Sequence, residues 1–401
     1  MKKALILIIT FLWSLFFSVL FAQDLPSEPS ANSSQIDELF SDTQDIINSD
    51  ESSVTSIDHT TVFTEKPKLQ FSGSISATVG VSIGYTQWPD PNNLLAYYDG
   101  AAGGTATTTL VMQAQPSSIL AVYGNVASSV DTSETLSWSQ FTIGSLYFDY
   151  YGISNVSIRA GQFSTTWGHG RIFSLSNLMS SSGDDLTLRV SFPLVFQGLS
   201  MFVLAHKKYF SSSTDIPAVS EYAYAANLDH VIGPVRITEG FRYQKQEGFR
   251  NILSVQGTLL GIDIFSDILL SFNENDFKNP IKTWGYVGGA FKEFSQTRLY
   301  GEYQYTSETV GGMDHTIALV FLQRKLFGQT LDAGFKWEHT FFDHSGQFVP
   351  GLTWACLPNG TLQFAFPITY GPDGARYVTN NEDPSKRRIM LAVLLKIEGS
   401  F

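Results

Sequence analysis

The 401-residue chain has a single cysteine, Cys356, which excludes an internal disulfide and any cysteine-based metal site. Histidine is scarce too, at seven residues: His59, His169, His206, His230, His315, His339 and His344. None lies in an HExxH-type or nucleophile motif, and the adjacent pairs Asp314-His315 and Asp343-His344 read as chance. Charged residues make up only 15% of the chain and the formal net charge is −12, which excludes the basic surface that nucleic acid requires. Beyond Ala22 no uninterrupted apolar run approaches the length of a membrane-spanning helix. What is abundant is aromatic side chains, at 14%, and glycine, at 33 residues, while mean hydropathy is close to zero. Helical membrane proteins do not have this balance. β-barrels do, because only alternate residues face lipid.

The N-terminal 22 residues read as an export signal. Met1-Lys2-Lys3 is a short positive start, Ala4 to Ala22 is almost wholly apolar, and Gln23-Asp24 opens a polar segment. Leu20 is large for a position three before the cut, and the run is also long enough to stay as an anchor; cleavage after Ala22 is the preferred reading. Residues 23–66 form an acidic, low-complexity segment. Asp24, Glu28, Asp37, Glu38, Asp42, Asp45, Asp50, Glu51, Asp58 and Glu65 fall within it with no Lys or Arg before Lys66. Such a segment is a solvated periplasmic spacer, with docking or plugging of the lumen as the alternative. Ile36, Leu39, Phe40, Thr43 and Ile47 within it have helical spacing.

From residue 67 the pattern changes to strands. Leu69, Phe71, Gly73, Ile75, Ala77, Val79, Val81, Ile83 and Tyr85 alternate with small uncharged residues, a period of two that no helix shows. The polar face suits a wet lumen. Later segments repeat the pattern, and most of their charges share the parity of the polar face. Arg or Lys on a lipid face at mid-bilayer costs about 2–4 kcal/mol. Arg189, Arg236, Arg242, Asp263, Asp267, Lys336 and Glu338 are therefore expected in the lumen, whereas Glu239 breaks an apolar face. Long connections (87–104, 164–185, 207–218, 273–283 and 370–388) alternate with tight turns (115–118, 229–234 and 358–360), the last being an Asn-Gly hairpin of expected type I′. The expectation is an all-β fold, a closed transmembrane antiparallel barrel of about eighteen strands, or about sixteen if the weak breaks near Gly248 and Gly261 are not turns.

The last strand ends at Phe401, with Val393, Leu395 and Ile397 on its apolar face. It resembles the C-terminal strand of bacterial outer-membrane barrels. That resemblance implies recognition by the barrel-insertion machinery through Val393, Leu395, Ile397 and Phe401. A second resemblance rests on Arg159-Ala160-Gly161 followed, five residues later, by Trp167-Gly168. This is similar to a motif of porin-like outer-membrane families, in which a strand ending in an R-x-G-type turn leads to a W-G loop. Physically, the segment reads as a loop folded into the channel, with Trp167 and Phe173 as anchors and Arg159, His169 and Arg171 as cationic donors near a constriction; an ordinary external loop is the alternative.

Taken together, these features point to a weakly selective diffusion channel for small hydrophilic solutes, without cofactor or metal and not an enzyme. The residues expected around the pore are Arg159, Trp167, His169, Arg171, Arg189, Arg236, Arg242, Asp263 and Asp267. The alternatives are a plugged transporter for hydrophobic substrates and a surface adhesin or structural barrel. Expected partners are outer-membrane lipid, the insertion machinery and small solutes. The protomer would be a monomer or part of a homotrimer.

Overall fold

A computed structural model describes residues 69–400 except 86–87, 89–97, 132–136, 139–140, 166, 174–184, 194–196, 207–221, 246–247, 273–280, 310–311 and 379–387. The signal peptide, the acidic segment with its helical spacing, and Phe401 lie outside the described residues.

Every long strand pairs antiparallel with its sequence neighbour, and Leu69–Tyr85 (β1) pairs with Ile389–Ser400, from Ser74 opposite Ser400 to Tyr85 opposite Ile389. The sheet thus closes and has no free edge, as a lipid environment demands. Two staves are each built from two pieces, Ser137–Trp138 with Thr142–Ile153 and Gly360–Ala365 with Ile368–Tyr370, so the twenty strand segments make eighteen staves. Eighteen, not sixteen, is the count because both weak breaks are real: Leu260 and Gly261 turn with φ of 54° and 69°, and a strand starts at Gly248 with φ of 81°. Among the described residues the one short helix is Leu326–Gln329, and no helix is long and apolar enough to cross a membrane.

Other boundaries moved. The second strand begins at Tyr98, so Gly103 and Gly104 sit inside it opposite Gly80 and Val79, not in a loop reaching residue 104. Ser117 closes on Leu120, which shifts the first tight turn to Ser118-Ile119, and Asp229 to Ile232 belong to a strand that turns at Gly233-Pro234. The hairpin near Asn359 forms, but neither Asn359 nor Gly360 has positive φ, so it is not type I′. Pro358, whose ring fixes a negative φ, enters the turn and leaves Gly360 to begin the next strand.

Parity sorts the two faces. Phe71, Ile75, Val79, Val81 and Ile83 are exposed on the outside of β1, whereas Thr78 and Ser82 are buried on the inside. Arg189, Arg236, Arg242, Asp263, Asp267, Lys336 and Glu338 all share the inward parity of their strands. Among the described residues Glu239 is the one carboxylate whose strand parity turns it toward lipid; it is exposed and stands opposite Leu228 and Leu253. Short turns and the start of β1 share one end of the barrel with Ser400, and the longer connections share the other.

Candidate functional site

The strand Val156–Gln162 carries Arg159 on its inner face and has Gly161 as its last residue but one, with φ of 136°. A Cβ there would run into the Leu146 carbonyl oxygen and the Tyr147 Cα. Only glycine fits, which is the physical content of the Arg-x-Gly motif. Beyond it the chain does not leave the barrel mouth. Phe163, Trp167, Ile172 and Phe173 are all buried, and residues 167–173 lie against the inner wall.

Two carboxylates rooted in the wall hold this loop. Asp267 accepts the His169 backbone N–H at 2.7 Å on Oδ2, and its Oδ1 lies 3.2 Å from the His169 ring Nδ1. Glu302 accepts three N–H groups, from Arg171 at 2.9 Å and Ile172 at 3.1 Å on Oε2, and from Phe173 at 2.8 Å on Oε1. The Tyr300 hydroxyl also donates to Glu302 Oε2. Hydrogen bonds to a charged acceptor contribute about 1.5–3 kcal/mol each where they are buried. These buried acids are therefore not idle charges; they satisfy the backbone of a loop that has no ladder of its own.

Apolar contacts complete the attachment. The Trp167 ring meets Phe202 edge-on at 5.5 Å and packs with Leu204, Ala225, Ile252 and Leu269. It lies so close to the wall that a Cβ on Gly240 would sit 2.9 Å from the ring. Ile172 and Phe173 pack with Phe265, Val287, Tyr300 and Val320, and Phe291 flanks them. The Arg171 guanidinium stands 5.3 Å over the Phe291 ring and 5.8 Å over Tyr300.

The inner wall around the loop carries a row of arginines. Successive cross-strand partners run Asp149, Arg159, Arg189, Phe202, Ala225, Arg242 and Arg250. Because strands tilt in a barrel, such a row climbs around the wall rather than circling it at one depth. Trp167 covers its middle, at Phe202 and Ala225, and so separates Arg159 and Arg189 from Arg242 and Arg250. Arg159 forms a two-point pair with Asp149, Nε at 2.7 Å and Nη2 at 2.8 Å, and stacks 4.2 Å over Tyr147. Arg189 lies 6.0 Å from the Phe163 ring beside that pair and finds no carboxylate of its own among the described residues, leaving the spot with excess positive charge. Arg242 donates to Gln244 at 2.6 Å.

Most other inward charges cancel locally. Arg236 meets Asp229 at 3.3 Å, Arg298 meets Glu293 at 3.0 Å, and Lys336 meets Glu338 at 2.7 Å with both side chains buried. Asp263 accepts from the Thr258 hydroxyl near the short-turn end, away from the loop. Among the pore residues expected from the sequence, the structure thus brings Trp167, His169 and Arg171 together in one loop and puts Asp267 on the wall strand that latches it. Arg159, Arg189 and Arg242 share one row, and Arg236 and Asp263 stand apart. Sequence reasoning missed Glu302, Tyr300, Asp149 and Arg250.

No family model and no curated protein matches the sequence. The fold is similar to that of solved outer-membrane porins. OccK2 (OpdF) of Pseudomonas aeruginosa aligns with a TM-score of 0.54 at 9% identity, over 83% of this chain and 98% of that one. OpdL of the same organism aligns with 0.53 at 8% identity, over 83% and 99%. OccAB3 of Acinetobacter baumannii aligns with 0.50 at 7% identity, over 82% and 99%. At these identities the likeness establishes the architecture, a closed antiparallel eighteen-stranded barrel.

Proposed function

We propose that the chain is an integral outer-membrane channel through which small hydrophilic solutes diffuse, with a weak preference for anions. The observation that carries this reading is the inward loop. A barrel of this size leaves a water-filled lumen, and a loop latched to Asp267 and Glu302 narrows it beside a row of arginines. Paired charges elsewhere on the wall keep the selectivity weak, and Arg189 beside the Arg159–Asp149 pair sets its sign. The likeness to outer-membrane porins supports the same reading of fold and location.

On this reading residues 1–22 direct export, residues 23–66 extend into the periplasm, and the strand bearing Val393, Leu395 and Ile397 is the insertion signal together with Phe401. Those three side chains share the outward parity of Ile389–Ser400, where such a signal is read before the barrel closes. The protein works as a monomer or homotrimer, and it transports rather than transforms its solutes.

Single-channel recording of the refolded chain from Gln23 in a planar bilayer tests the proposal. Discrete ohmic steps with a reversal potential of anion sign in a salt gradient are expected. A folded, heat-modifiable barrel that passes no current would overturn it, in favour of a plugged transporter or an adhesin.

A further inference from the structure

The outer surface at the loop end of the barrel is not a plain aromatic girdle. Rings follow one another from Trp284 to Tyr305 at 4.6 Å, Tyr305 to His315 at 5.0 Å, His315 to Phe341 at 6.0 Å, Phe341 to His339 at 4.9 Å, and His339 to Tyr370 at 5.8 Å. Tyr and Trp are at home at this level of a membrane because each has one apolar and one polar end. Two imidazoles in the same belt are different. They are poor partners for hydrocarbon and need polar company at the headgroups.

His339 is set up to donate. The Trp337 indole N–H donates to the Tyr370 hydroxyl at 2.9 Å, and that hydroxyl lies 3.0 Å from His339 Nδ1. A tyrosine hydroxyl that accepts from Trp337 keeps its own proton, and Nδ1 is within reach to accept it when the imidazole proton is on the other nitrogen. In that tautomer the ring N–H is on Nε2, the nitrogen remote from Tyr370. The arrangement is built into the backbone: a Cβ on Gly346 would collide with the Tyr370 hydroxyl, so glycine makes the seat for this ring. His315, directly across the strands from Phe341, has no ring-nitrogen hydrogen bond among the described residues. Among the carboxylates whose side chains are described, the one on the outer face of a strand, Glu239, lies on a distant strand, and Asp343 in the adjoining turn is held by Ser345 and Arg376.

We propose that His315 and His339, with Phe341 between them, form a binding site for the phosphate of an anionic lipid in the leaflet at the loop end. The rings hold the acyl–headgroup boundary, and the imidazole N–H groups donate to phosphate oxygens. The inference rests on the reading of the barrel as a membrane protein with its long connections outside, but it does not require that the barrel conducts.

The test is the heat-induced loss of the folded form of the refolded chain in vesicles of phosphatidylcholine alone, with added phosphatidic acid, or with inorganic phosphate in the buffer. Phosphatidic acid is expected to raise the midpoint, and free phosphate is expected to leave it unchanged. The His315→Phe/His339→Phe double variant should lose that rise, Tyr370→Phe should lose part of it, and His339→Gln, which keeps an amide donor, should retain more of it than His339→Phe. An equal rise in the double variant, no rise in the parent, or an equal rise with free phosphate would overturn the proposal. Single-channel current is recorded from the same preparations. A silent barrel that still shows the lipid-dependent rise would defeat the channel reading and leave this one standing.

Discussion

Glu302 accepts the backbone N–H of Phe173 at 2.8 Å, joining a wall strand to a loop residue 129 positions earlier in the chain. With the Arg171 and Ile172 N–H groups on the same carboxylate, one side chain does for this loop what a ladder strand would do. Replacing it by Ala leaves three backbone N–H groups and the Tyr300 hydroxyl without this acceptor, at about 1–3 kcal/mol for each one that stays buried. Glu302→Ala is therefore expected to release the loop and raise single-channel conductance with added current noise, while Glu302→Gln, which keeps one acceptor oxygen, gives a smaller change. Unchanged conductance in Glu302→Ala would show that the loop does not set the narrowest point.

The arginine row predicts the sign of selectivity. Arg189 adds a positive charge beside an Arg159–Asp149 pair that is already neutral, so Arg189→Glu changes the local charge from positive to negative. Its reversal potential in a salt gradient should move toward the cation value. Arg159→Ala combined with Arg171→Ala should lower anion preference too, although by less for Arg159, whose removal also frees Asp149. A reversal potential identical to the parent in both variants would remove the row from the permeation path.

The Arg-x-Gly motif has a backbone reason, and it gives a stability contrast. Gly161 has φ of 136° with no room for a Cβ, whereas Gly399 has open space around the same atom. Gly161→Ala should destabilise the barrel by roughly 1–3 kcal/mol, and Gly399→Ala should stay within about 0.5 kcal/mol of the parent. Urea midpoints of the two variants refolded in vesicles decide the matter, and equal midpoints would contradict the geometry.

The same residues show how far the sequence could be read. In β1 the inner face is small and uncharged, so alternation is plain and the strand is legible from end to end. Where the loop lies on the wall, the inner face becomes a core. Phe202, Leu204, Ile252, Phe265 and Leu269 point inward and are buried under Trp167, Ile172 and Phe173. Ile262–Phe272 then carries apolar side chains on both faces, with Asp263, Asp267 and Ser271 left to mark the inner one, and the parity that should have marked Arg250 as inward was hidden by Ile252 beside it. The latch was illegible for another reason. Glu302 binds the backbone N–H groups of Arg171, Ile172 and Phe173, which leave no trace in the side chains of those residues; of the latch only the His169 ring, which also meets Asp267, is a side chain the sequence displays.

Acid should loosen the loop-end turn at Asp343. Burial raises its carboxyl, but the Arg376 N–H, the Ser345 hydroxyl and N–H, and the charge of Arg376 together outweigh burial and hold it below the ordinary aspartate value. A carboxyl lowered in the folded state contributes stability that is complete above the unfolded value, about 3.9, and is lost as pH falls through the lowered folded value. Protease protection of the 371–378 connection, which Arg376 ties to Asp343, should therefore hold at neutral pH and fall only in strong acid. Asp343→Asn should flatten that pH dependence. An acid profile identical in both proteins would assign the loss to another group.

Glu239 offers the last test, because it sets the cost of a charge against lipid. It is exposed on the outer face of Val235–Gln244 and has no hydrogen bond or ion pair with any described residue. A carboxylate facing hydrocarbon is unfavourable, though less so than Arg or Lys at the same depth. Glu239→Leu should therefore raise the urea midpoint in vesicles, by less than about 2 kcal/mol, and leave conductance unchanged. A lowered midpoint would mean that the carboxylate makes a favourable contact outside the barrel, with a lipid headgroup or with another protein, and that this face of the barrel is not simply a lipid surface.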